Sequence, residues 1–130
     1  MKKLKIAIDF DGVIHEYSKG WNGGAIYDNP VAGTKEALEK LKSEGHYLMI
    51  FSTRNNFIFR KKDEPDQKLL MEEWLKTHEI PFDKIWTAGK PMADIYIDDR
   101  AISFKGNWSN TLNDISTFTV WNKQDESDEK

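Results

Sequence analysis

Five consecutive apolar residues, Tyr47-Leu48-Met49-Ile50-Phe51, constrain the fold of this chain more than any other stretch. A continuous run of that length, closed by Ser52-Thr53, is the pattern of a strand buried on both faces. Such strands belong to parallel sheets, whose crossovers lay helices over them. The segment just before it supplies a helix over residues 34–44. There Ala37, Leu38 and Leu41 make one apolar stripe, Glu36 and Lys40 stand at i and i+4, Thr34 is placed to cap the start, and Gly45 to end it. Ile6-Ala7-Ile8, ahead of that helix, marks another buried strand over residues 4–9. Strand, helix, strand is a βαβ unit, which predicts a parallel pair with a right-handed crossover.

The pattern repeats further on. Asp66 is placed to cap a helix over about residues 67–78, in which Leu70, Met71, Trp74 and Leu75 form the apolar face, so Trp74 is read as core. Ile80-Pro81-Phe82 breaks it, Lys84–Thr87 reads as a third short strand, Gly89-Lys90-Pro91 as a turn, and Ile95-Tyr96-Ile97 as a fourth strand. The predicted class is therefore α/β, a Rossmann-like parallel sheet with helices on both faces. Residues 12–30 hold too many glycines for a long helix and have room for a short hairpin turning at Asn22-Gly23. In that segment His15, Glu16, Tyr17 and Trp21 are candidates either for substrate contact or for pinning the loop. Residues 55–66 read as a polar loop, and the basic cluster Arg54, Arg60, Lys61 and Lys62 suits either an extra phosphate or anionic polymer, or plain solvation. Residues 115–121 fit a strand or a helix equally.

With 130 residues the chain is expected to form one domain, over residues 1–121, followed by a charged stretch 122–130 with no apolar residue that reads as a disordered tail. The absence of cysteine excludes disulfides and cysteine-based zinc sites. No run approaches the roughly 20 apolar residues of a membrane span, and too few apolar residues follow Met1-Lys2-Lys3 for a signal-peptide core. The expectation is a soluble, cytoplasmic protein. Its net charge of −3, mixed along the chain, gives no broad basic face for nucleic acid.

Each predicted strand end carries chemistry. Asp9 and Asp11 follow the first strand, Ser52 and Thr53 the second, Lys90 the third, and Asp98 and Asp99 the fourth. The carboxyl ends of parallel strands share one edge, where open α/β sheets hold ligands. Four acids gathered there cannot all stay ionised without a cation. An all-oxygen ligand set selects a hard ion, so Mg²⁺ is the expected cofactor. A lysine and a hydroxyl beside that ion are what a phosphoryl group needs on its equatorial oxygens.

Asp9-Phe10-Asp11-Gly12-Val13, Ser52-Thr53-Arg54, Lys90-Pro91 and Ile97-Asp98-Asp99-Arg100 resemble, in order, the four motifs of the haloacid dehalogenase superfamily of phosphohydrolases. The resemblance spans about residues 4–105. It implies a Mg²⁺-dependent phosphatase acting on a phosphate monoester through an aspartyl-phosphate. Asp9 resembles the nucleophile and also a metal ligand. Asp11 resembles the general acid/base, with its backbone carbonyl on the metal and a proton held by a raised pKa. Ser52 resembles the phosphate-binding hydroxyl, with Thr53 as runner-up and Arg54 completing a substrate-binding set. Lys90 resembles the cation that steadies the phosphoryl charge. Asp98 resembles a metal ligand, and Asp99 supports the metal directly or through water. The short gaps at 14–33 and 55–89 are similar to those of capless members, in which an open site implies bulky substrates or a lid from another subunit of a homo-oligomer. The substrate stays open among a sugar phosphate, a nucleotide and a phosphorylated larger molecule. A receiver-like signalling domain is the rival, but its phosphoacceptor aspartate ends a middle strand, and no lone aspartate ends Tyr47–Phe51. A non-catalytic phosphate- or metal-binding module is the other alternative.

Overall fold

The computed structural model describes residues 2–55 and 66–121. Strands β1 (Lys5–Asp9), β2 (Tyr47–Phe51), β3 (Lys84–Trp86) and β4 (Ile95–Ile97) form one sheet in the order β3-β2-β1-β4, every pair parallel. Helix α1 (Thr34–Ser43) connects β1 to β2, α2 (Gln67–Thr77) lies between β2 and β3, and α3 (Trp108–Thr117) follows β4. This is an α/β, Rossmann-like fold. The chain moves outward from β1 through β2 to β3, then crosses to the other side of β1 for β4. The order therefore reverses beside β1, the position at which open parallel sheets leave a crevice at their carboxyl edge.

Register and alternation sort the side chains. Ile6, Ile8, Leu48, Ile50 and Ile85 share one sheet face and form one cluster with Leu38 of α1 and with Met71, Trp74 and Leu75 of α2. Asp9, Phe51 and Trp86 pair across neighbouring strands and share the opposite face, together with Ala7, Met49 and Tyr96. Burying each large aliphatic side chain contributes about 1.5–3 kcal/mol, so the cluster is the main stabilising block. Trp74 is core, as its helical spacing predicts, and its indole N–H donates to the Asp28 carbonyl at 3.2 Å.

Local chemistry sets the ends of these elements. Asp66 caps α2 by accepting the Lys68 amide at 3.1 Å. The expected Thr34 cap does not form. Gly33 occupies the cap position with a left-handed φ of 88°, and Thr34, already the first helical residue, donates its hydroxyl to the Val31 carbonyl at 2.7 Å. The hairpin expected at Asn22-Gly23 is also absent. Residues 22–24 make a single 3₁₀ turn, because the flanking residues lack the apolar alternation that pairs two strands. The loop is tied down instead by Asp28, which accepts the Ser18 amide and hydroxyl, both at 2.7 Å, and by the Tyr27 hydroxyl, which donates to the Gly20 carbonyl at 2.8 Å. Of the undecided stretch 115–121, residues 115–117 finish α3, Phe118 is extended, and no strand follows among the described residues. The loop at 56–65 and the tail at 122–130 lie outside the described residues. No helix among the described residues is long and apolar enough to cross a membrane.

Leu48 is fully buried and Leu69 on α2 is 52% exposed. Leu48→Ala is expected to cost about 2–5 kcal/mol, and Leu69→Ala no more than about 0.5 kcal/mol. Urea denaturation of the two variants beside the parent checks the difference.

Candidate active site

Asp9 is the last residue of β1, and its register partner is Phe51. Ile97 pairs with Ile8, so Asp98, one residue further on, comes level with Asp9 on the adjacent strand. The carboxylates of Asp9, Asp98 and Asp99 each place one oxygen within 4.8 Å of the others. The expected gathering of acids is therefore present for these three side chains.

Their electrostatics are costly. Burial pushes the Asp9 carboxyl up, the Asp98 charge adds to this, and a hydrogen bond with Asp99 and the charges of Asp99 and Asp11 raise it further, to about 8. Asp99 Oδ1 is buried and has no hydrogen-bond partner among the described residues, whereas buried polar atoms are ordinarily paired. Asp98 Oδ1 accepts the Arg100 amide at 2.8 Å, which orients its carboxylate. Gly12, with φ of +87°, lets the chain turn directly against Asp99, since a Cβ at that position would collide with Asp99 Oδ2. Three carboxylates, an unpartnered buried oxygen and a glycine-lined wall fit a small divalent cation with hard oxygen ligands.

Asp11 stands apart from this trio. Its Oδ2 accepts from Arg54 Nε at 2.8 Å, and its Oδ1 accepts from Arg54 Nη2 at 2.9 Å. The same Oδ1 lies 2.9 Å from Nδ1 of the fully buried His15. His15 Nε2 accepts the Asp28 amide at 3.1 Å, so the network assigns the donated proton to Nδ1. Burial pushes the Asp11 carboxyl up, but the hydrogen bonds from His15 and Arg54 and the Arg54 charge outweigh it, and the group sits below its ordinary value. This corrects the expectation of a raised Asp11: the crowding of acids raises Asp9, while Asp11 is held as a carboxylate by its donors. The Asp11 charge nevertheless reaches Asp9 and helps to raise it.

Arg54 differs from expectation too. It is buried and does not belong to an exposed basic loop. Its Nη1 donates to the Gly24 carbonyl at 3.0 Å and to Gln67 Oε1 at 2.9 Å, and its guanidinium lies 5.0 Å from the Trp21 ring centroid. It fastens the loop, α2 and Asp11 together. His15 and Trp21 are thereby loop anchors, and Tyr17 packs edge-on to His15 at 5.9 Å. Sequence reading missed this clamp. Its one visible trace was the i, i+4 spacing of Asp11 and His15, which is helical spacing inside a segment that forms no helix.

The remaining predicted residues border a cleft of about 770 Å³ at the same edge, lined by Ser52, Thr53, Lys90 and Asp98 together with Phe51, Trp86 and Tyr96. Ser52 Oγ accepts the Arg54 amide at 3.1 Å and lies 3.5 Å from Asp11 Oδ2, while Thr53 is exposed. Lys90 makes no ion pair with the trio among the described residues; its Nζ lies 4.6 Å from the Tyr96 ring centroid.

No family model matches the chain, and no curated protein matches it significantly. Among solved structures, the chain is similar to a conserved protein from Bacteroides thetaiotaomicron, with 25% identity and a TM-score of 0.52, covering 88% of this chain and 91% of that one. It is also similar to a protein from Vibrio cholerae, with 21% identity and a TM-score of 0.49, covering 87% of this chain and 99% of that one.

The raised Asp9 has a thermodynamic signature. Between its unfolded value of 3.8 and about 8, the native state holds a proton that the unfolded chain has released. The Asp9 contribution to metal-free stability is then largest at low pH and is lost as pH rises through this window, by at most about 1.4 kcal/mol per unit. Unfolding free energies at pH 5 and pH 8 are expected to differ in that direction, and Mg²⁺ or Asp9→Asn to flatten the slope. Arg54→Met, which leaves the Asp11 carboxylate without its guanidinium partner, is expected to lose about 3–5 kcal/mol in urea denaturation.

Proposed function

We propose that this chain is a Mg²⁺-dependent phosphohydrolase of the haloacid dehalogenase type, cleaving a phosphate monoester through an aspartyl-phosphate on Asp9. The observation that carries the reading is the trio Asp9, Asp98 and Asp99 within 4.8 Å of one another at the switch point, with a buried oxygen that no group among the described residues satisfies. Asp9, Asp98 and Asp99 would hold the cation, with the Asp11 carbonyl as a further ligand. The ion supplies positive charge that keeps Asp9 ionised and offsets its repulsion from a phosphate dianion.

The chain's own groups divide the remaining work. Asp9, as a carboxylate, attacks phosphorus, the ester P–O bond breaks, and the departing oxygen takes a proton from water in the open cleft. Ser52, Thr53 and Lys90 border the same cleft, and their hydroxyls and ammonium would serve the phosphoryl oxygens. Asp11, ionised by Arg54 and His15, is suited to accept the proton of the water that opens the aspartyl-phosphate.

The test is phosphate release from an aryl phosphate with Mg²⁺ and with chelator. Release is expected only with the metal, and Asp9→Asn is expected to lower it by about a thousandfold or more while circular dichroism stays unchanged. Turnover near the parent level in that variant would remove Asp9 as nucleophile.

A further inference from the structure

The register of the sheet places more than acids at the carboxyl edge. Asp98, Asp9, Phe51 and Trp86 fall level with one another across β4, β1, β2 and β3, and Asp9, Phe51 and Trp86 point to the same face. Neighbouring strands lie about 4.8 Å apart. Phe51 is therefore about one strand spacing from the candidate nucleophile and Trp86 about two. Both line the cleft that opens from Ser52 and Asp98, and Tyr96 lines it from the edge strand. Two cations lie over rings of this wall, Lys84 Nζ at 5.3 Å from the Trp86 centroid and Lys90 Nζ at 4.6 Å from the Tyr96 centroid.

A phosphoryl group alone fills little of a cleft of about 770 Å³, a volume within the range that encloses small organic ligands. The wall next to the phosphate position is aromatic. A sugar offers hydroxyls, which need donors and acceptors, whereas a flat ring gains from aromatic faces. We infer that the leaving group of the substrate carries a flat heteroaromatic ring about one sugar's length from the phosphorus, as in a nucleoside 5′-monophosphate, and that Phe51 and Trp86 are the surface on which the ring lies. This rests on the phosphohydrolase reading for the position of the phosphate, and it adds a substrate class to it.

Adenosine 5′-monophosphate and ribose 5-phosphate make a matched pair of probes, because the departing oxygen is a primary alkoxide in both and only the ring differs. Turnover of each is measured with Mg²⁺ in the parent, Trp86→Leu and Trp86→Phe, and binding of each by calorimetry in the parent or, where it turns over, in Asp9→Asn. The expected result is a preference for the nucleotide of about tenfold or more, retained in Trp86→Phe and reduced toward unity in Trp86→Leu. If Trp86→Leu fails to fold, Phe51→Leu takes its place, with the same narrowing expected. Equal turnover of the two probes would overturn the ring site and leave the phosphohydrolase reading standing. Ring-dependent binding with no turnover would overturn the phosphohydrolase reading and support the ring site. Neither binding nor turnover would overturn both.

Discussion

Three carboxylates held within 4.8 Å of one another are the constraint to which the rest of this structure answers. Nothing in their own chemistry favours the arrangement, since each raises the cost of ionising its neighbour. It is imposed by the sheet. The parallel register of β1 with β4 sets Asp98 beside Asp9, and the turn at Gly12 admits Asp99 against the backbone. The core on the opposite face, built on Ile8, Ile50, Met71 and Leu75, holds that register against the repulsion. Stability accumulated in one layer is in this way expended as electrostatic strain at the edge of another.

Asp9 and Asp11 are two residues apart and yet stand in opposite electrostatic states. Asp9 faces other acids and is driven toward the neutral form. Asp11 faces a guanidinium and an imidazole N–H and is driven toward the charged form. Pairs of titratable groups pushed apart in this manner are how one site supplies different roles to chemically identical side chains. The division depends on Arg54, which reaches Asp11 only because Gly24 and Gln67 fix the other end of its guanidinium.

The strands and helices were legible in the sequence because each follows from a local pattern: the apolar run at Tyr47–Phe51, the stripe at Leu38 and Leu41, the cap at Asp66. The acidic trio was legible for the same reason, since each acid directly follows an apolar run. What escaped was whatever depends on two distant segments meeting. Arg54 reads as a substrate-binding residue or as part of a basic cluster, and only the fold turns it inward onto Asp11, 43 residues away. The aromatic row escaped as well. Phe51 and Trp86 look like ordinary strand residues until the register aligns them with Asp9. The hairpin expected at Asn22-Gly23 failed because a turn signal without pairing strands is only a turn.

One long-range contact ties the end of the described chain to its beginning: the indole N–H of Trp121 donates to the Gly12 carbonyl at 2.6 Å, across 109 residues. The turn that shapes the acidic wall is thus braced from a segment that supplies none of its acids.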